Sequence, residues 1–145
     1  MTSLIDSYRR RFRYLRLSIT DTCNFRCSYC LPQGSCIDPK AERPLNLDEI
    51  INLTTAFAGL GVEKVRITGG EPTLRRDVIA IFQAIAAVDG IRQMAISTNG
   101  YRLAQLAPSL AASGCTAANI SLDLNHSLIA SQTSTLMNNK SLIAF

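Results

Sequence analysis

Three cysteines stand within eight residues: Cys23, Cys27 and Cys30, in the pattern Cys-x3-Cys-x2-Cys. Thiolate is a soft ligand and selects iron–sulfur clusters, zinc or copper(I). A cubane held by cysteine alone needs four thiolates. Three close cysteines therefore imply a 4Fe–4S cluster with one iron left without a protein ligand. The competing assignment is a zinc site with Cys36 as fourth ligand, although zinc sites usually pair one Cys-x2–4-Cys with a distant second pair. The chain has five cysteines, an odd number. In a reducing compartment that crowding favours metal over disulfides. Cys36 reads as a loop thiol and Cys115 as a small core residue. His126, the one histidine, carries no assigned role.

Three further motifs can hold a ligand. Gly69-Gly70-Glu71-Pro72 offers two glycines for close backbone approach and exposed amides and carbonyls suited to an amino-acid moiety. Ser97-Thr98-Asn99-Gly100 and Ser121-Leu122-Asp123 add hydroxyls and a carboxylate. Each is weak alone, since Gly-Gly and Asn-Gly are ordinary turn signals. An open iron beside such a turn can chelate the amino and carboxylate groups of S-adenosylmethionine. Its reduction then cleaves the sulfonium and releases a deoxyadenosyl radical.

The elements that must position these motifs are legible from periodicity. Residues 13–19 alternate with period two and predict a strand. The cysteines and a Pro/Gly-rich stretch follow. A helix opens at Leu47, with Asn46 as N-cap and Glu49 completing a capping box, and ends at Gly59 or Gly61. Strands are predicted over 63–68, 92–97 and 117–122, and helices over 75–88 and 101–112. This alternation predicts an α/β fold with a parallel sheet and right-handed crossovers. Every motif above then lies at the C-terminal end of a different strand, where such folds build their sites.

The strand faces are unequal. Arg16 and Ser18 oppose Leu15, Leu17 and Ile19. Lys64, Arg66 and Thr68 oppose Val65 and Ile67. Ser97 opposes Ile96, and Asn119, Ser121 and Asp123 oppose Ile120 and Leu122. A fully covered parallel sheet would be apolar on both faces. The pattern implies a curled sheet whose polar face lines a lumen suited to an anionic ligand.

Bulk properties agree with one domain of ordinary size: 145 residues, 47% hydrophobic and 18% charged, too apolar for global disorder. The net charge of +4 permits a polyanionic ligand without implying nucleic acid, and the Arg9, Arg10, Arg11 and Arg13 cluster reads mostly as a solvated arm. No apolar run approaches the ~20 residues that span a bilayer, and no secretory signal is evident. These features predict a cytoplasmic protein with no membrane or nucleic-acid partner.

The stretch Tyr14–Cys30, with Val65-Arg66-Ile67-Thr68-Gly69-Gly70-Glu71-Pro72, the Ser-Thr-Asn-Gly turn and Asn119-Ile120-Ser121-Leu122-Asp123, resembles the radical S-adenosylmethionine superfamily. More narrowly, it is similar to the GTP 3′,8-cyclase family of molybdenum cofactor biosynthesis. The resemblance covers roughly residues 8–123 and implies a partial TIM-type (βα)n barrel, here of about four strands. It implies that Cys23, Cys27 and Cys30 ligate the 4Fe–4S cluster. It assigns Tyr29, Gly70 and Ser121 to S-adenosylmethionine, and Arg16, Arg66 and Ser97 to GTP. The family usually has threonine where this chain has Ser97. Lys64 shares the polar face and is placed to help with phosphates. Arginine suits phosphate because its fork grips two oxygens at once.

The family continues further, with two more βα units and a C-terminal part that brings three more cysteines, a second cluster that binds GTP, and a terminal Gly-Gly. Residues 1–123 are thus expected to form the N-terminal part of the barrel, and residues 124–145 an aberrant, poorly ordered tail from a truncated or frame-shifted gene. The fourth strand would then expose an edge that invites self-association. Three readings stand at this point: a GTP 3′,8-cyclase acting on GTP, a fragment that binds a cluster without catalysis, and a radical enzyme for another substrate.

Overall fold

A computed structural model describes residues 4–25, 27 and 43–121. Tyr29, Cys30, Cys36, His126 and the expected tail at 124–145 lie outside the described residues. The element order is β1 (Tyr14–Ser18), α1 (Leu47–Gly59), β2 (Lys64–Thr68), a 3-10 turn (Pro72–Leu74), α2 (Val78–Ala86), β3 (Gln93–Thr98), α3 (Leu103–Ala112) and β4 (Cys115–Ile120). The strands form one parallel sheet in the order β1-β2-β3-β4. Each crossover steps the same way along the sheet, and α1, α2 and α3 all pack on one face; crossovers of a single hand produce this arrangement.

That face carries the core. Leu17, Ile67, Ile96 and Ala118 stand in register across the four strands and are buried. They pack with Ile50 of α1, Ile81, Phe82 and Ile85 of α2, and Leu103, Ala107 and Leu110 of α3. Cys115 joins this cluster, and burial raises its thiol pKa to about 11, as suits a core residue rather than a ligand. The opposite face has no helix among the described residues. No described helix is long and apolar enough to cross a membrane.

Most element boundaries shift by one to three residues from the periodicity, and two of the shifts have a visible cause. The second helix starts at Val78 rather than residue 75. Pro72 opens a 3-10 turn instead, and Arg75 is extended with ψ 127°, because its side chain is engaged elsewhere. The fourth strand starts two residues early, at Cys115. Its register with β3 runs Met94↔Cys115 and then Ala95↔Ala117. Thr116 is the extra residue of a bulge, and its hydroxyl donates to the Met94 carbonyl at 2.9 Å. A period-two reading cannot pass through such an insertion.

The start of α1 is as expected. The Asn46 side chain accepts from the Glu49 amide at 2.9 Å, and Glu49 accepts from the Asn46 amide at 2.8 Å. Hydrogen bonds from Arg43 first, and from the Asn46 amide, pull the Glu49 carboxyl pKa down to about 2. Replacing Asn46 with Ala should cost about 1 kcal/mol in urea denaturation, and Asn46→Gly only a few tenths. A folded-state pKa below the ordinary 4.5 means the Glu49 contribution is complete above that pH and fades as pH falls toward 2. The urea midpoint of Glu49→Gln should accordingly lose that part of the acid dependence.

Candidate functional site

Beyond Ser18 the chain continues along the sheet edge. The Ile19 amide donates to the Thr68 carbonyl, the Gly70 amide to Thr20 O at 2.8 Å, and the Glu71 amide to Thr22 O at 2.8 Å. Backbone pairing thus carries the residues that lead into the cysteines across the Gly-Gly turn. Both glycines are needed for this approach. A Cβ on Gly69 would overlap the Thr20 carbonyl, and one on Gly70 would lie 2.5 Å from Thr22 O and 2.6 Å from Asp21 O. The close approach is therefore to the protein's own chain. The Gly70 and Glu71 amides are taken, while the Gly69 amide and the carbonyls of Gly69 and Gly70 have no protein partner among the described residues.

Glu71 is fully buried. Its Oε1 accepts from the Thr73 amide, the Thr73 hydroxyl and, at 2.8 Å, the Thr98 hydroxyl; its Oε2 accepts from the Asn99 amide at 2.6 Å. One carboxylate so fastens the turn after β2 to the turn after β3. Arg102 reinforces the link by donating to Thr73 O at 3.0 Å. Arg75 reaches back to β1, donating to Ile19 O at 2.6 Å, and grips Asp77 through Nε and Nη2 at 2.7 and 3.1 Å. That grip lowers the Asp77 carboxyl pKa.

The cysteine segment is seated on these turns. The Asn99 side chain donates to Asn24 Oδ1 at 2.9 Å, and Phe25 meets the Tyr101 ring edge-on at 6.1 Å. Cys23 is exposed, Cys27 half-buried, and both are free thiols. The Phe25 amide donates to Cys23 Sγ at 3.4 Å. These two sulfurs fit a soft metal or an iron–sulfur cluster, with Cys30 outside the described residues.

On the helix-free face, Arg16, Arg66, Ala95 and Ala117 stand in register. Two guanidinium stems thus adjoin two methyl groups, which leave room beside the charges. Ser18 pairs with Thr68, and half-buried Ser97 with Asn119. Lys64 lies two residues before Arg66 on the same face. No acidic residue occupies this face among the described strand positions. The Ser121 amide donates to Thr98 O at 2.9 Å, which holds the start of the last motif beside β3.

Of the candidate residues, the structure brings Cys23, Cys27 and Gly70 to one sheet end, with Ser121 at the same end. It spreads Arg16, Arg66 and Ser97 over the adjoining face. The sequence reading missed Glu71, Asn24, Asn99, Arg75 and Arg102. The available signal was a glutamate just past the Gly-Gly turn that follows β2, with threonines at Thr73 and Thr98 close to two strand ends.

Helices packed on one face of a parallel sheet, a polar opposite face and a cysteine segment at the sheet's C-terminal end define an α/β fold with a thiol-bearing end. The model of the Radical SAM superfamily matches residues 17–135, and the chain belongs to that superfamily. Its cofactors are a 4Fe–4S cluster and S-adenosylmethionine.

Among curated relatives, the GTP 3′,8-cyclase of Haemophilus influenzae (strain 86-028NP) is 55% identical over 122 residues, covering 83% of this chain and 36% of the relative. That of Synechococcus elongatus is 54% identical over 123 residues, covering 85% and 38%. The chain spans little more than a third of these relatives' length. Among solved structures, BtrN in an open conformation aligns with a TM-score of 0.62 at 14% identity, covering 91% of this chain and 55% of that one. BtrN in complex with AdoMet and 2-DOIA gives 0.60 at 16%, covering 83% and 46%. At that identity the likeness concerns the fold.

Glu71→Gln tests the central tie. Whichever way the amide turns, its NH2 faces at least one donor. The variant should lose about 1–3 kcal/mol in urea denaturation. Gly70→Ala should displace the Thr20–Thr22 segment and reduce iron and sulfide incorporation, while circular dichroism keeps its α/β signature.

Proposed function

We propose that this chain provides the S-adenosylmethionine-cleaving part of a GTP 3′,8-cyclase, which opens molybdenum cofactor biosynthesis by abstracting hydrogen from GTP ribose. The observation that carries the reading is the Arg16–Arg66 pair in register on a face without carboxylates, in a chain 55% identical over 122 residues to a GTP 3′,8-cyclase. Like charges directly opposite each other destabilise a sheet, and a bound polyphosphate removes that cost.

When bound and reduced, the cluster supplies the electron that cleaves S-adenosylmethionine to a deoxyadenosyl radical. In this reading Cys23, Cys27 and Cys30 hold the cluster. Tyr29, Gly70 and Ser121 hold S-adenosylmethionine, and the unpartnered Gly70 carbonyl is suited to its ammonium group. Arg16 and Arg66 neutralise GTP phosphates, and the Ser97 hydroxyl contributes a further hydrogen bond. Lys64 adds charge on the same face. The reading places the chain in the cytosol, where thiols stay reduced.

The test is anaerobic reconstitution of this chain with iron and sulfide. Visible iron–sulfur absorbance should develop, and should be absent in Cys23→Ala and Cys27→Ala. Reductant and S-adenosylmethionine should then give 5′-deoxyadenosine. Binding of GTP should weaken about tenfold or more in Arg66→Ala, the scale of a charge-assisted hydrogen bond. Absorbance that persists without the cysteines, or GTP affinity indifferent to both arginines, would sink the reading.

A further inference from the structure

Arg66 makes no hydrogen bond to a described residue, and its Nε is buried without a partner. What it touches is an aromatic ring: its Cζ lies 5.5 Å from the centroid of Tyr14. Tyr14 pairs with Lys64 across β1 and β2. Arg66, two residues further along the same face, is therefore its diagonal neighbour, within reach of a long side chain.

An arginine that clasps an anion must give up rotamer freedom, unless something already holds it. A carboxylate would hold it and cancel its charge. A ring holds the guanidinium through its quadrupole and leaves the charge and the outward N–H donors available. Tyr14 is about half exposed, at 45%, so it is not committed to the core.

Resting on the anion-binding reading above, we infer that Tyr14 is a positioning residue that pre-orders the Arg66 guanidinium for a polyphosphate through a cation–π contact.

Inorganic tripolyphosphate is the probe, titrated calorimetrically into the full chain and its variants. Tyr14→Leu should weaken binding about two- to fivefold, the factor a partly exposed cation–π contact represents. Tyr14→Phe, which keeps the ring, should restore it, and in an Arg66→Ala background Tyr14→Leu should have no further effect. An equal loss in that background would overturn the inference and leave the anion reading standing. So would full affinity in Tyr14→Leu beside a loss in Arg66→Ala. No response to Arg66→Ala, or no binding by the parent chain, would overturn the anion reading and the inference with it. Independently of ligand, the Arg66 side-chain protons should show a ring-current shift that Tyr14→Leu abolishes; its absence in the parent chain would overturn the contact itself.

Discussion

The Glu71 carboxylate is buried with no cation among its hydrogen-bond partners. A polar group so placed is tolerated only when its hydrogen-bonding capacity is satisfied. Here the donors come from two separate strand ends, Thr73 after β2 and Thr98 and Asn99 at the end of β3. Satisfying one group therefore fixes the distance between two turns. Asn99, held by its amide, turns its side chain to Asn24 and so seats the cysteine segment. The placement of the cysteine segment is thus inherited from a residue outside it.

The second organising constraint is the asymmetry of the sheet. Three crossovers of one hand put every helix on one side, and the apolar row Leu17, Ile67, Ile96 and Ala118 pays for their docking. The other side is released from packing duty and can keep Arg16, Lys64 and Arg66. These cations repel one another and have no carboxylate on their own face. Their arrangement is unfavourable for the sheet alone and favourable for an anion bound against it, which is how a functional face departs from the rules that govern a core.

Much of the fold was legible because it is written in local patterns. Period-two alternation marks β1 and β2, the Asn46–Glu49 box marks the start of α1, and strand–helix alternation implies a parallel sheet. Two of the errors fell where a tertiary contact overrode the local pattern. Arg75 belongs to a helical-looking run, yet its side chain binds Ile19 O and Asp77, so α2 waits until Val78. Thr116 is a bulge fixed by its bond to Met94 O, and no periodicity announces it.

The sequence by itself determined the chemistry on offer: three closely spaced thiols, glycines at a strand end, and arginines on the polar side of two strands. Those are properties of residue type and short-range spacing. The tertiary structure alone decided what each group faces. It showed that Gly69 and Gly70 make room for Thr20–Thr22 of the same chain, that Glu71 joins two loops, and that Arg66 rests on Tyr14. These partners are separated by 27 to 52 residues in sequence. Parallel pairing brings them together, and no local preference encodes which distant atom will satisfy a buried donor or acceptor.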